Sequence, residues 1–319
     1  MHSGSGPTSK QGQGQQQGQQ QKQKQQHNNH HLVRFECDAI GTLQSCFKQR
    51  NGTPRQSLLV PTARARLVLA PTIDRCALEG LADYSHCIVV FVFHANTNFH
   101  KTRDGDVAPV ESFEVDEDGT NQEDDSTTTA TTTIHYTSSL AKSCKARVAP
   151  PRMHGATTGV FATRSPHHPV PVGISIARIA AVDVSHGTID FAGLDLVDGT
   201  PVLDVRPYVP HDAIAGPELR VPPWVAAPET RYAVALAPAA AARLEALFPR
   251  AAHASLYAAP DELAALVRDA LARDIRSVAR QQRHQDRHSI VLDTMRFQYA
   301  INEAAHSITV DDVQLALPD

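Results

Sequence analysis

Four short segments of the chain carry side chains able to bind or activate a ligand, with Pro and Gly around them. The first two are Gly52–Gln56 (GTPRQ) and Ser85–Ala95, in which His94 ends an apolar run. The others, Val160–Ser175 (VFATRSPHHPVPVGIS) and Asp198–Tyr208 (DGTPVLDVRPY), place Arg, Asp, Ser and His among turn-forming residues. Pro presets φ and Gly permits close approach of the backbone, so these segments predict a surface or pocket of fixed shape.

Several common catalytic motifs are missing from the sequence. It has no GxGxxG after a strand and no GxxxxGKS/T, which argues against a Rossmann nucleotide site and a P-loop. HExxH is also missing, and the pairs His94/His100 and His167/His168 lack further ligands at metal-binding spacing, so no metal is expected.

The cysteines and the hydropathy bear on where the protein acts. The five cysteines are odd in number and show no CxxC, which argues against disulfides and predicts a cytoplasmic protein, with the nucleus as the alternative. No apolar run approaches the roughly 18 residues that span a bilayer, so no membrane association is expected.

The four segments lie among short β-rich runs, which predicts a mainly β fold. These runs are Arg66–Leu69, Cys87–Phe93, Gly173–Val184, Thr188–Leu196 and Pro201–Tyr208. Every second residue is apolar within 174–176 and 189–191, the pattern of half-buried strands. No long amphipathic helix interrupts this region, so a closed or partly closed β-barrel, or a sandwich, fits best.

Composition divides the rest of the chain into regions. Residues 1–31 are almost entirely Gln, Gly, Lys, Asn and His, and they are expected to be a disordered tail. The predicted barrel domain, 32–226, is interrupted at 102–139 by an acidic and then Thr-rich insertion that is expected to be flexible. Ten acidic residues and no Lys or Arg lie within Asp104–Asp125. The remainder is therefore mildly basic, which is compatible with RNA binding.

Residues 227–319 predict a second, smaller unit of the α+β class. Helical spacing covers Ala233–Leu247 and Pro260–Arg280, and the second helix opens on Asp261 and Glu262. Three short strands are predicted after them, at Ser289–Leu292, Phe297–Asn302 and Ser307–Val313.

Five motifs occur in the same order as in a known enzyme family. They are GTPRQ, ALEGLADYSHCIVVFVFH, KARVAPPR, GVFATRSPHHPVPVG and GLDLVDGTPVLDVRPYVP, which lie between Phe35 and Pro210. The chain therefore resembles the TsaA-like tRNA methyltransferases, known as TrmO. The resemblance implies a TsaA-like β-barrel domain followed by a small α+β C-terminal domain, in agreement with the predicted barrel.

The same resemblance implies a cofactor, a substrate and a partner. The family uses S-adenosylmethionine to methylate the exocyclic amino nitrogen of N6-threonylcarbamoyladenosine, next to the anticodon of threonine tRNA. It binds the cofactor near a homodimer interface. Carried over position by position, the cofactor-binding residues are Pro54, Arg55, Gln56, His94, Ala95, Arg164, Ile174, Leu196, Val197, Asp198 and Gly199.

Roles within that set follow from side-chain chemistry. Arg55 or Arg164 could hold the cofactor's carboxylate through a charge-assisted pair, and Asp198 could accept from its ammonium or ribose hydroxyls. Positioning supplies much of the catalysis of an in-line methyl transfer. Asp198 or His94 is the candidate general base.

A cationic set just before the signature segment is predicted to bind tRNA. Its members are Lys142, Lys145, Arg147 and Arg152. They could bind backbone phosphates, which would make affinity fall with salt. A solvated basic loop without RNA contacts is the alternative for each of them.

In the signature segment, two departures from the family pattern RSPxRPNPIG change the side-chain chemistry: His168 replaces Arg and Val170 replaces Asn. Val cannot make the hydrogen bonds of Asn, and His carries a pH-dependent charge. Either these residues touch a ligand and change affinity, or they only shape the loop, for which Pro169 and Pro171 suffice.

These departures leave a second function open, a non-catalytic RNA-binding or adaptor barrel derived from the family. Arg55, Gln56 and Arg164 are retained, however, together with the whole DGTPVLDVRPY run. A pure RNA binder has no need of a cofactor pocket, so the sequence favours the enzyme.

Overall fold

The chain folds into a closed six-stranded β-barrel and a four-stranded sheet that packs with two helices. The computed structural model describes residues 37–95, 133–134, 146–153, 155–214, 216–273 and 287–316. Its strands are β1 (Cys37–Asp38), β2 (Gly41–Ser45), β3 (Arg64–Leu69), β4 (His86–Val92), β5 (Thr133–Ile134), β6 (Arg147–Val148), β7 (Thr158–Gly159), β8 (Val172–Asp183), β9 (Thr188–Ala192), β10 (Thr200–Pro207), β11 (Ala233–Leu236), β12 (His288–Leu292), β13 (Met295–Asn302) and β14 (Ser307–Leu315). Its helices are α1 (Pro223–Ala226), α2 (Pro238–Ala251) and α3 (Pro260–Leu271). Short 3₁₀ helices lie at Arg75–Leu78, Leu81–Asp83, Pro151–Met153, Val160–Ala162, Pro210–Asp212, Gly216–Glu218 and Ala252–Ala254.

The barrel confirms the predicted mainly β fold. Its strands follow the order β10-β2-β3-β9-β8-β4, and every neighbouring pair is antiparallel. Alternate side chains point inward and fill the interior, as small closed barrels require. The interior includes Leu43, Leu67, Val89, Phe91, Ile189, Phe191 and Val202.

In the first half of β8, the isoleucines that were predicted to alternate as the buried face point outward instead. Ile174 is 57% exposed, whereas its neighbours Gly173 and Ser175 are buried. Gly173 lies opposite Phe91 of β4, and a Cβ at Gly173 would lie only 2.3 Å from the Phe91 Cζ. Because the Phe91 ring fills the interior here, the small residues of β8 face inward and Ile174 and Ile176 face outward.

Two boundaries of the barrel strands also differ from the prediction. The run predicted to extend to Leu196 ends as β9 at Ala192, because Gly193 turns the chain with a φ of 75°. The predicted strands do not include β2, although its residues alternate between buried and exposed as in any half-buried strand.

The C-terminal unit confirms the predicted α+β class and corrects one helix. Its sheet has the order β11-β14-β13-β12, with β11 parallel to β14. Ala233–Leu236 is thus a strand and not the start of a helix. Helix α2 begins only at Pro238, a residue favoured in the first helical turn. Helix α3 carries Asp261 and Glu262 in its first turn as predicted, and the predicted extension from 274 to 280 lies outside the described residues.

The segment after β2 belongs to the core of the C-terminal unit. Cys46, Phe47, Val60 and Ala63 pack into one buried cluster with residues of α2, α3 and β12–β14. The Tyr257 hydroxyl adds a hydrogen bond of 2.9 Å to the Thr62 carbonyl. The barrel polypeptide and the C-terminal unit therefore share a core.

Two predicted regions lie largely outside the described residues. They are the tail at 1–31 and the insertion at 102–139, of which Thr133–Ile134 is described and pairs with Cys37–Asp38. None of the helices in the described ranges is long and apolar enough to cross a bilayer.

Candidate functional site

The turn at 196–199 is fastened to the end of β2 by main-chain and side-chain hydrogen bonds. The Asp198 amide donates to the Phe47 carbonyl at 2.8 Å, and the Ser45 amide donates to the Asp198 carboxylate at 2.6 Å. The Ser45 hydroxyl donates to the Leu196 carbonyl at 2.6 Å. These contacts fix the conformation of the turn that the family motif predicts as part of the cofactor site.

The Asp198 carboxylate also has a charged partner. Lys48 Nζ lies 3.1 Å from Asp198 Oδ1, the same oxygen that accepts from the Ser45 amide. The carboxylate of this candidate base is thus engaged in holding its own turn. In the described chain, Asp198 therefore has a structural role, and its place in a cofactor site stays a prediction.

His94 lies against the same turn. Its amide donates to the Val92 carbonyl at 2.8 Å, which turns the chain at the end of β4. Gly199 has a φ of 76°, and a Cβ there would lie 3.8 Å from His94 Nε2. Glycine therefore permits this backbone conformation and leaves the space before the imidazole open. Ala95 follows directly, at the edge of a described range.

The environment of His94 favours its neutral form. Desolvation lowers the pKa of His94 below its ordinary value of 6.5, against an opposing main-chain hydrogen bond and the negative charge of Asp198. That hydrogen bond favours the protonated ring, which means that the imidazole donates it to the Asp198 main chain. A neutral imidazole with one donating nitrogen keeps the other as an acceptor, as a base requires.

Asp195 is a half-buried acid that was not predicted as a site residue, and the charge of Arg164 acts on it. The Ser175 hydroxyl donates to Asp195 Oδ1 at 2.7 Å. Burial raises the pKa of Asp195, while the Ser175 hydrogen bond and the positive charge of Arg164 oppose that shift. Ser175, at the end of the Val160–Ser175 segment, and Asp195, in the GLDLVDG run, therefore bring two of the sequence motifs together. The one signal in the sequence is its place between two buried leucines in the GLDLVDG run.

The signature loop holds its own shape. His168 Nε2 lies 2.9 Å from the Thr163 carbonyl, and the Thr163 hydroxyl donates to the Val160 carbonyl at 2.8 Å. The Phe93 amide donates to the Pro171 carbonyl at 2.8 Å, which joins the end of the loop to the end of β4. The loop thus carries Arg164 to the barrel end where His94 lies.

The GTPRQ segment is held near the same stretch of chain. The Leu58 amide donates to the Gly193 carbonyl at 2.6 Å, two residues before Asp195. Pro54 is buried, whereas Arg55 and Gln56 are exposed. Arg55 and Gln56 therefore face solvent, on a loop that a main-chain hydrogen bond holds to the connection between β9 and β10.

Two of the predicted RNA-binding residues are engaged within the chain. The Arg147 guanidinium donates to the Thr157 hydroxyl at 3.0 Å and to its carbonyl at 2.8 Å. Arg152 donates to main-chain carbonyls at the C-terminal end of α1. Lys142 and Lys145 lie outside the described residues. The RNA-binding role of this set stays a prediction.

A cavity of about 560 Å³ lies elsewhere, between the barrel and the C-terminal unit. Four of its charged side chains form two pairs, Arg66 with Asp190 and Arg64 with Glu262. It contains none of the predicted cofactor positions. No group of three His, Cys, Asp or Glu side chains in the described part of the chain could hold a metal ion.

Comparison with known proteins gives a consistent family. The family model described as "tRNA-methyltransferase O N-terminal domain" (TrmO_N) matches residues 42–121 and 114–213, more than half of the chain. The human "tRNA (adenine(37)-N6)-methyltransferase" is 34% identical over 175 residues, which are 54% of this chain and 30% of the relative. The Pseudomonas aeruginosa "Putative S-adenosylmethionine-dependent methyltransferase RcsF" is 35% identical over 179 residues, 55% of this chain and 58% of the relative. A crystal structure of TrmO from Pseudomonas aeruginosa matches 90% of this chain and 100% of its own, with a TM-score of 0.60 and 27% identity.

The raised pKa of Asp195 predicts that its charge weakens the fold near neutral pH. Above its folded pKa the half-buried carboxylate is ionised, and the desolvation penalty is relieved as the pH falls through that value because the folded state takes up a proton. We expect Asp195→Asn, which keeps the acceptor for Ser175, to stabilise the protein near neutral pH by about 1 kcal/mol per unit of raised pKa. The gain shrinks as the pH falls. Urea unfolding at neutral and acidic pH measures it.

Asp204→Asn is the matched control, because Asp204 pairs with Arg206 at the surface. Its effect should stay within about 1 kcal/mol. A lower stability of Asp195→Asn near neutral pH would show that the Arg164–Asp195 attraction outweighs burial.

Proposed function

The chain belongs to the tRNA-methyltransferase O (TrmO) family, and we propose that it is an S-adenosylmethionine-dependent methyltransferase acting on N6 of adenine 37 in tRNA. The names of its relatives support this reaction and this cofactor. In the chain itself, the proposal rests on one observation, the contact of the His94 ring with the Asp198–Gly199 turn. This contact joins two separate family motifs at one end of the barrel.

The side chains at this barrel end fit the groups of S-adenosylmethionine, which supplies a methyl group from its sulfonium and would leave as the neutral thioether. Arg164 is exposed and carries a positive charge suited to the cofactor's carboxylate. Gly199 leaves room for a ligand group beside His94, while the Asp198 and Gly199 amides of the turn are bonded to Phe47 and Leu43. Arg55 and Gln56 on the GTPRQ loop would complete the cofactor-binding set.

His94 is the better candidate for the proton acceptor. The Asp198 carboxylate is held by Ser45 and Lys48, whereas the His94 imidazole is neutral near physiological pH and retains an accepting nitrogen. We propose that this nitrogen takes the proton from N6 as the methyl group arrives. Asp198 then serves to hold the turn and orient the ring.

His94 is a weak base, and a weak base is suited to an acceptor nitrogen whose proton is acidic. This supports a proposal for which form of adenine 37 is the substrate. The N6–H of threonylcarbamoyladenosine is bonded to a carbamoyl carbonyl and is more acidic than an ordinary adenine amine. A neutral imidazole whose pKa lies below 6.5 is better suited to remove this proton than to remove the less acidic N6 proton of unmodified adenine. We therefore propose threonylcarbamoyladenosine in threonine tRNA as the substrate.

An exposed apolar face beside the site supports the homodimer. Val170, Val172 and Ile174 are 53%, 37% and 57% exposed, and Phe161 is 78% exposed. Apolar side chains grouped on an outer sheet face are typical of an interface. We propose that a second copy of the chain covers this face, which would place the dimer contact beside Ile174 of the cofactor set.

The function predicts a specific product. Incubation with labelled S-adenosylmethionine and threonine tRNA should methylate threonylcarbamoylated tRNA, while the same tRNA without that group should give at least about 100-fold less product. Mass spectrometry of the digested nucleosides measures both. Cofactor binding without product would indicate another acceptor, and neither binding nor product would favour the adaptor function.

The base assignment predicts a change in the pH profile. We expect His94→Gln to lower kcat by about 100-fold, the typical effect of losing a general base, with little change in cofactor affinity. In the wild type, activity should fall below pH 6.5 as His94 becomes protonated, and the pH profile of the variant should lack this acid-side fall. His86→Gln, at the other end of β4, is the matched control and should keep it. An unchanged profile in His94→Gln would assign the acid-side fall to another group.

The dimer predicts that a charge on the apolar face separates the subunits. Val172→Glu buries an uncompensated carboxylate in the interface and should convert the protein to a monomer. Sedimentation equilibrium gives the mass, and an unchanged melting profile of the monomer would show that the fold persists. A wild-type protein that sediments as a monomer would contradict the dimer.

A further inference from the structure

Phe47 lies between the cofactor turn and a hairpin of the C-terminal unit. On one side it forms a parallel bridge with Val197, and its carbonyl accepts from the Asp198 amide. On the other side it forms an antiparallel bridge with Leu292, the last residue of β12. Its side chain is 1% exposed and belongs to the C-terminal core. One residue thus links two elements that are far apart in the sequence.

Asp293 secures the C-terminal side of this link. Its amide donates to the Cys46 carbonyl at 2.6 Å. Its carboxylate accepts from the Ser255 hydroxyl at 2.6 Å and from the Leu256 amide at 3.1 Å. The residue is 1% exposed, so these partners satisfy a carboxylate that has almost no access to water.

The backbone of Asp293 is in the left-handed region, with a φ of 52°. Non-glycine residues rarely adopt this conformation, and Asp and Asn tolerate it best. The hairpin therefore needs a residue that accepts this φ and also accepts hydrogen bonds from Ser255 and Leu256. Because Asp293 is buried and meets both requirements, its backbone position is fixed by its surroundings.

We propose that Asp293 is a positioning residue for the cofactor turn. It fixes Cys46–Phe47, and Phe47 in turn fixes Asp198 through the hydrogen bond at 2.8 Å. The inference rests on the proposed role of that turn in binding S-adenosylmethionine. It gives the C-terminal unit a part in cofactor binding although the unit contributes no residue to the cofactor set.

The proposal predicts weaker cofactor binding when Asp293 is replaced. Asp293→Ala removes the acceptor for Ser255 and Leu256 and frees the hairpin that holds Cys46 and Phe47, so it should raise the Kd for S-adenosylmethionine by about tenfold, as if the Phe47–Asp198 hydrogen bond were lost. Asp293→Asn tolerates the same φ and keeps an acceptor, so its Kd should stay within about twofold of wild type. Calorimetric titration of the full chain, well below its melting temperature, gives these constants.

A second core variant separates positioning from general destabilisation. Val313→Ala creates a cavity in the same C-terminal core, where Val313 is fully buried, and should lower the melting temperature as well. We expect it to leave the Kd within about twofold of wild type, because it leaves the Asp293 carboxylate and its hydrogen bonds from Ser255 and Leu256 in place. An equal rise of the Kd in Val313→Ala, or no rise in Asp293→Ala, would overturn the proposal.

Hydrogen exchange tests the link without any cofactor. In Asp293→Ala, the Asp198 amide should exchange about tenfold faster, because its acceptor is the Phe47 carbonyl, and the Gly199 amide, whose acceptor is Leu43 in β2, serves as the internal reference. In Val313→Ala their exchange should match wild type. Faster exchange in a protein that does not bind S-adenosylmethionine would refute the cofactor assignment and still support the positioning. Unchanged exchange in Asp293→Ala would refute the positioning itself.

Discussion

The segment from Ser45 to Lys48 is the constraint on which the site depends. It leaves the barrel at the end of β2 and enters the core of the C-terminal unit, and its polar groups have partners on both sides. Buried main-chain amides and carbonyls must be paired, so neither neighbour can shift without breaking these bonds. The turn at 196–199 therefore takes its conformation from a junction between two cores together with Asp198 and Gly199 of its own sequence.

Two carboxylates only three residues apart have different surroundings. Asp195 accepts from the Ser175 hydroxyl, and desolvation raises its pKa, while the Asp198 carboxylate pairs with Lys48 and accepts from the Ser45 amide. Both carboxylates thus have partners within the chain. His94 meets the turn from the end of another strand, and desolvation lowers its pKa, which favours the neutral imidazole that the proposed proton transfer requires.

The sequence predicts the barrel well where strands are β-rich and bounded by turns, as at β4, β8 and β10. It misses β2, whose sequence GTLQS has little β-branched character, and it assigns Ala233–Leu236 to a helix because alanine favours one. Parallel pairing with β14 overrides that preference. The Ser175–Asp195 contact and the Asp293–Cys46 contact were not predicted, since they join residues that only the closed fold brings together.

The residues that replace Arg and Asn of the family signature have different surroundings. His168 donates from Nε2 to the Thr163 carbonyl, and its ring lies 5.7 Å from that of Phe161 between centroids, so His168 packs within the loop. Val170 is exposed and adds to the apolar surface that also includes Val172. Arg164 is exposed as well, and its positive charge acts on Asp195 against the effect of desolvation. One altered position thus contributes to the internal packing of the loop and the other to its outer surface, while the signature arginine keeps its access to solvent.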